Sequence, residues 1–376
     1  MAKNLHRTGD RLLYDGMPSP IDFDQLTPQL HFFAGSTNSD GTFATHLRSS
    51  KYNNDVAKIR EDFENFAELK CGRVIFLTHG LESAGSARWV EALKVALLQV
   101  DNAQLVAVLD WAVAARAGRI HAMHGGYRQA AANCLEIGRW LGNVAKIVYE
   151  NMVRLGVKEP YLWGIGHSLG AHLMGRAGHE AGMRLKTSSR GWGSYILSIF
   201  RSQPVSLPTR VFDRITGLDP AGPGFQTSLP GYRQICRDDA ETVDIIHTDG
   251  NSSIELLWPL VSGAKNYYGT LLPLGSIDFY PNYGHSCRRT ARGNHSLAYD
   301  LFTWSITNPG FFVTDQVLER APEVSQIEGR PGVIVRPCDK TVQSETQVEM
   351  GYHLKPGNSG LYYVKTYHQA PFVAKL

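Results

Sequence analysis

The chain has 376 residues, 43% of them hydrophobic and 19% charged, with a net charge of +3. That length buries a sizeable core and holds one large or two ordinary domains. The charge is too small to argue for nucleic acid, no basic stripe interleaved with aromatics appears, and no stretch of 18 apolar residues offers a membrane span.

Residues 1–28 are polar and proline-punctuated, and read as an arm over the surface. Gln29 to Ser36 (QLHFFAGS) reads as a strand, followed by a loop-rich section, SSKYNNDVAKIREDF. Arg73 to Thr78 is an apolar run that ends in His79-Gly80 and a glycine-containing loop, with a helix from Trp89 to Val100. A buried strand feeding such a loop and helix makes a βα unit. A second unit follows: a strand from Gln104 to Trp111, a loop with Gly125-Gly126, and a long helix from about Tyr127 to Gly156. Its apolar positions Leu135, Ile137, Leu141, Val144, Val148 and Met152 share one broad face.

Next comes Tyr161-Leu-Trp-Gly-Ile-Gly166-His167-Ser168-Leu169-Gly170, strand-like before the serine and helix-like after it. G-x-S-x-G between a strand and a helix is the nucleophile elbow, in which a strained turn presents the serine hydroxyl. Gly166 and Gly170 keep bulk away where strand and helix meet. The backbone N–H of Leu169, at the helix N-terminus, faces the space before the hydroxyl.

Alternating strands and helices with near-continuous apolar strands predict an α/β fold with a mostly parallel sheet covered on both faces. In such sheets the site lies at the strand C-terminal ends, where His79, Asp110 and Ser168 all fall. No internal repeat or linker appears, so residues 1–376 read as a single domain. A nucleophilic serine needs a base, and the base an orienting acid, in the order Ser, Asp or Glu, His. Asp219 stands where the strand-like run from Val211 stops at a proline, and an Asp-Pro turn explains that spacing equally well. His247, His285 and His295 are candidate bases. His247 lies in the strand-like VDIIHTDG, where a satisfied buried histidine is the ordinary expectation; His295 is favoured because it immediately precedes a periodic helix, Leu297 to Ile306.

Four blocks in order, GHSLGAH (166–172), ITGLDPA (215–221), VDIIHTD (243–249) and GSIDFYPN (275–282), resemble the signature blocks of the pancreatic lipase family of triacylglycerol lipases and phospholipases A1. The likeness runs from about Pro28 to Phe372. It implies an α/β-hydrolase fold, Ser168 as nucleophile, Asp219 as triad acid, His295 as base, and an oxyanion hole from the N–H groups of Leu81 and Leu169. It implies hydrolysis of glycerolipid acyl esters at a membrane or emulsion surface, with no cofactor. The stretch between Cys287 and His295, the lid position of the family, is short here, and this favours phospholipid. An apolar stretch from Gly250 to Leu274 favours triglyceride instead, and galactolipid is a further alternative. A catalytically silent lipase-fold binding protein of yolk type is the rival outside the enzymes, and Ser168, Asp219 and His295 all stand against it.

The chain ends about where the family's β-sandwich domain would begin, and residues about 183–209 form an insertion, read either as an interfacial flap or as an added packed or loose segment. Arg288, Arg289 and Arg292 beside His295 attract an anionic interface or are simply a solvated loop. Of the family's calcium ligands only Asp239 is matched, with Cys236 near another, so no metal is expected. Five scattered cysteines (Cys71, Cys134, Cys236, Cys287, Cys338) lack a C-x-x-C pair, which argues against zinc and permits one or two bridges. The N-terminal residues show no apolar h-region, whereas sequons at Asn251 and Asn294 hint at secretion.

Overall fold

A run of apolar β-branched and aromatic residues that is buried on both faces must lie inside a sheet with helices on either side, and six segments among the described residues do so. The computed structural model describes residues 18–51, 55–101, 104–116, 126–188, 210–226, 233–250, 268–285, 291–326, 333–367, 369–370 and 372. Its central strands are β3 (Arg73–Thr78), β4 (Leu105–Asp110), β5 (Tyr161–His167), β6 (Arg214–Leu218), β7 (Thr242–Ile246), β8 (Ile277–Pro281) and β13 (Gly360–Val364). They run parallel in the order β4-β3-β5-β6-β7-β8-β13. Antiparallel strands β1 (Gln29–Thr37) and β2 (Phe43–Lys51) extend the edge beyond β4. Strands β9 (Val313–Leu318) and β12 (Thr341–Glu349) extend the other edge, to make eleven strands in all. A separate hairpin pairs β10 (Glu323–Gln326) with β11 (Val333–Arg336).

The period of two along each strand sorts side chains between two cores. Val74, Phe76, Leu105, Ala107 and Ile215 face helices α2 (Val56–Glu64), α4 (Gly126–Arg154) and α5 (Leu169–Ser188). Ile75, Leu77, Val106, Val108 and Ile165 face α3 (Arg88–Val100) and α6 (Ala291–Thr307). This is the expected α/β-hydrolase arrangement. Residues 18–28 include a one-turn helix, α1 (Phe23–Leu26), and lie along α4, where the Ile21 N–H donates to Asn133 Oδ1 at 3.0 Å.

Two expectations need correction. The section read as loop-rich holds the end of β2 and most of α2. β2 (FATHLRSSK) is an edge strand with His46 and Arg48 exposed, so it lacks the apolar signal of a buried strand. α2 is capped by Asp55, whose carboxylate accepts the N–H groups of Ala57 and Lys58, and it buries Ile59 and Phe63, one turn apart. Of the insertion, α5 accounts for the part up to Ser188; 189–209 lie outside the described residues.

One buried ion pair ties the C-terminal segment to the sheet. Arg214 on β6 donates to both carboxylate oxygens of Asp244 on β7 at 2.8 Å, and to the carbonyls of Gly351 and Tyr352 at 2.7 and 3.1 Å. Asp244 is fully buried, and its remaining donor is Thr216 Oγ1 at 2.8 Å. Arg214→Met is therefore expected to cost about 3–5 kcal/mol, because a buried carboxylate loses its counter-ion. A denaturant-unfolding midpoint indistinguishable from wild type would contradict this.

Candidate active site

The carboxyl ends of β3, β5, β6 and β7 converge on Ser168. The turn that carries it is strained: Ser168 has φ 59°, a left-handed conformation costly for a residue with a side chain. It is fixed from both sides, with the Ser168 N–H donating to Leu218 O at 3.0 Å and the Ala171 N–H to Ser168 O at 3.1 Å. The glycines are required by approach. A Cβ on Gly166 would fall 2.2 Å from Gly170 O, and one on Gly80 would fall 2.7 Å from the Ser168 Cβ. Leu169 opens α5, so its N–H belongs to the unpaired first turn of a helix. Leu81 follows Gly80, which abuts the serine itself.

Asp219 stands one residue beyond β6, fully buried, with φ 43°. Its Oδ1 accepts the N–H groups of Thr248 and Asp249 at 2.8 and 3.1 Å, and its Oδ2 accepts the His295 Nδ1–H at 2.6 Å. Three donors on one carboxyl are what a carboxylate needs. With Nδ1 donating to Asp219, the neutral tautomer of His295 turns an acceptor nitrogen, Nε2, away from the carboxylate, the arrangement that a general base requires. The other two candidates are engaged elsewhere or apart. His247 is buried between Thr270 O, at 2.6 Å from Nδ1, and Asp278 Oδ1, at 2.8 Å from Nε2, as a satisfied structural histidine. His285 follows the turn after β8 and shows no contact with Asp219 among the described residues.

The helix that carries His295 starts earlier than its apolar period suggests. α6 begins at Ala291, so His295 lies inside its second turn rather than in a loop before it. Residues Ala291-Arg-Gly-Asn294 have no apolar repeat, so periodicity first becomes visible at Leu297. This start also bears on the sequon at Asn294, which is 4% exposed and hydrogen-bonded through its side chain to Asp249. A glycan does not fit there, and that hint of secretion is withdrawn; Asn251 lies outside the described residues.

Two neighbours of the site carried no role in the sequence reading. His167 donates its Nε2–H to His295 O at 2.9 Å, with the two rings 4.4 Å apart, and so ties the elbow to the base. Burial, and next the proximity of His295, hold its ring well below the usual histidine range, so it remains a neutral donor. Asp249, also fully buried, places an oxygen in a cluster with one Asp219 oxygen and one His295 nitrogen, all within 4.8 Å of one another. Its Oδ2 accepts the Tyr268 N–H at 2.9 Å, while Oδ1 is buried without a hydrogen-bond partner. Burial, and then the charge of Asp219, push its carboxyl up to about 8. Both contacts join residues far apart in sequence, and only the histidine inside the G-x-S-x-G motif offered any signal.

Arg292 is exposed in the first turn of α6, whereas Arg288, Arg289 and Cys287 lie outside the described residues. The residues around Asp239 do not fit a calcium ion. Its buried carboxylate already pairs with the Arg233 guanidinium and accepts the Cys236 N–H at 2.9 Å. A second cation there would face Arg233.

With this geometry in place, comparison with known proteins is informative. The model of the lipase family matches residues 36–188 and 205–288, which include Ser168 and Asp219 but stop short of His295. The chain is 33% identical over 215 residues to phospholipase A1 1 of Vespa affinis, covering 57% of this chain and 51% of that protein. It is 32% identical over 236 residues to phospholipase A1 of Vespa crabro (62% and 63%) and 30% identical over 250 residues to phospholipase A1 4 of Polistes dominula (64% and 64%). The chain thus spans about half to two thirds of the length of these relatives. Among solved structures, esterase Est22 with p-nitrophenol aligns over 59% of this chain and 54% of that chain at 14% identity, with a TM-score of only 0.23. The fold assignment rests on the sheet order, not on that likeness.

Proposed function

The chain belongs to the lipase family, and from that premise we propose that it is a serine carboxylester hydrolase acting as a phospholipase A1 on the sn-1 ester of phospholipids. The observation that carries the reading is the 2.6 Å hydrogen bond between His295 Nδ1 and Asp219 Oδ2 beside a serine at φ 59°. Ser168 Oγ gives its proton to His295 Nε2 and bonds to the acyl carbon, while the carbonyl electron pair moves onto oxygen. The N–H groups of Leu81 and Leu169 hold that oxyanion. Collapse breaks the bond between carbon and glycerol oxygen, and the imidazolium returns its proton to the leaving alkoxide. Water then repeats the sequence on the acyl-enzyme and releases fatty acid. Asp219 accepts from Nδ1 throughout and keeps the ring oriented.

The choice of phospholipid is supported by the shortness of the stretch at the family's lid position, between Cys287 and His295. Because α6 starts at Ala291, only residues 286–290 separate it from His285, at the end of the turn after β8. So short a lid stretch favours a substrate with a polar head group. The relatives named phospholipase A1 support the same choice. Arg292 lies three residues before His295 and offers a cation to phosphate at that mouth. Membrane or emulsion lipid is the only partner in this reading, one catalytic unit spans the chain, and secretion follows from the family resemblance. Among the described residues no helix is long and apolar enough to cross a membrane.

The test is fatty-acid release from sn-1-labelled phosphatidylcholine and from emulsified triolein, side by side. Phospholipid turnover exceeding triolein turnover by about tenfold or more is expected. The reverse ratio would assign the protein to triglyceride, and silence on both with folded protein would leave the binding-protein alternative.

A further inference from the structure

The N–H of Leu81 is useful only if the chain from His79 to Leu81 keeps its place against the elbow. There is no slack in that contact: a Cβ on Gly170 would fall 2.5 Å from His79 O, just as one on Gly80 would strike Ser168. The hydrogen bonds of β3 end at Thr78, so the segment has to be held by something outside the ladder.

The exit of β4 holds it at three levels. The Trp111 indole N–H donates to His79 O at 2.8 Å, and the indole stacks on the His79 ring at 5.6 Å between centroids and 14° between planes. The Glu82 N–H donates to Ala115 O at 3.2 Å, and Glu82 is itself left-handed at φ 51°. Between these, the fully buried His79 ring donates its Nδ1–H to Gly80 O at 2.9 Å, which fixes that carbonyl. Its Nε2 is 3.2 Å from the Trp111 N–H and 3.2 Å from Asp110 Oδ1. Asp110 also accepts the Ala112 N–H at 2.9 Å. Burial by itself raises this carboxyl, but its hydrogen bonds with His79, Ala112 and Gly85 bring it down to about 2. A permanent carboxylate therefore stands behind the ring that orients the oxyanion strand.

We propose that Asp110, acting through His79, is a positioning residue for the Leu81 oxyanion donor. The inference rests on the hydrolase reading above. With Nδ1 committed to a carbonyl, Nε2 meets a backbone donor in the neutral ring and the carboxylate in the protonated ring. Asp110 thus keeps the ring in register with Gly80 when Nε2 carries a proton, and the Trp111 N–H does so when it does not. Asparagine at 110 keeps an oxygen at the Oδ1 position, which serves both the Ala112 N–H and Nε2, but removes its charge, so the fold survives while the hold on His79 weakens.

Oxyanion donors act on the tetrahedral state and not on the bound ester, and misplacing one by about 1 Å costs up to roughly a hundredfold. Asp110→Asn is accordingly expected to lower kcat by about ten- to a hundredfold with KM within about twofold. A trifluoromethyl ketone of substrate-like chain, whose hemiketal with Ser168 places an oxyanion in the hole, should lose affinity by the same factor. An ether-linked phospholipid analogue, which forms no adduct, should bind unchanged. Asp110→Ser, which keeps the cap on Ala112 without the reach to His79, should behave like Asp110→Asn. Unchanged kcat, parallel loss of both ligands, or an activity loss that merely follows a lowered melting temperature would each overturn the inference. In those cases wild type still hydrolyses ester and Ser168→Ala does not. A wild type without Ser168-dependent hydrolysis would instead overturn the hydrolase reading, and this inference with it.

Discussion

Ser168→Ala is expected to lower kcat for ester hydrolysis by about 10⁵-fold or more, and Asp219→Asn by about 10⁴-fold. The serine value follows from the loss of the only atom placed to form the acyl-enzyme at the elbow. The aspartate value follows from hydrogen-bond polarity. In Asp219→Asn the Oδ1 site still accepts from Thr248 and Asp249, so the amide group is forced to face His295 Nδ1 as a donor. Nδ1 must then become an acceptor, the ring proton moves to Nε2, and the side chain facing the serine can no longer take a proton. Little structural change is needed, so the melting temperature should remain near wild type while activity disappears. The measurement is kcat on a soluble p-nitrophenyl ester, normalised by titration of reactive serine in wild type and by folded protein in the variants. Retention of more than about a hundredth of wild-type activity in Ser168→Ala would remove the serine from the mechanism.

The parts of this molecule that were legible in sequence are those decided within ten residues. β3, β4 and β5 announce themselves because both faces of each strand are buried, and the elbow because its glycines answer contacts between neighbouring turns. Asp219 was ambiguous alone, since Asp-Pro also marks ordinary turns; what distinguishes it is the pair of amides from Thr248 and Asp249, some thirty residues away. Edge strands β2 and β12, and β9 next to the latter, are obscured for the opposite reason. Strands that are wet on one side or at the rim carry residues such as those of TVQSETQVE, whose pattern resembles a loop. The histidine choice was favoured by an adjacent helix, yet the helix itself includes His295. The hydrogen bond from His167 to His295 O spans 128 residues, and no local pattern encodes such a contact.

Asp249→Asn is expected to raise stability at alkaline pH. The sign follows from linkage. In the unfolded chain this carboxyl ionises near the usual aspartate value of 3.8, whereas in the folded protein it holds its proton to about 8. Between those values the folded state binds the extra proton, so unfolding becomes more favourable as pH rises, and the penalty is complete above about 8. Below about 4 both states are protonated and the penalty vanishes. Asparagine mimics the protonated acid: its oxygen still accepts the Tyr268 N–H, and its amide offers a donor to the region where Oδ1 has none. Melting temperatures measured from pH 4 to 9 should therefore diverge, with the variant gaining on the order of a few kcal/mol at the alkaline end and nothing at the acid end. The bond between Asp219 and His295 is untouched by the change, so kcat near neutrality should stay within a few fold of wild type. Equal pH dependence of the two proteins would mean that Asp249 ionises in the folded state. Asp219 would then share the cluster with a second negative charge, and the imidazolium formed during acyl transfer would lie between two carboxylates instead of beside one.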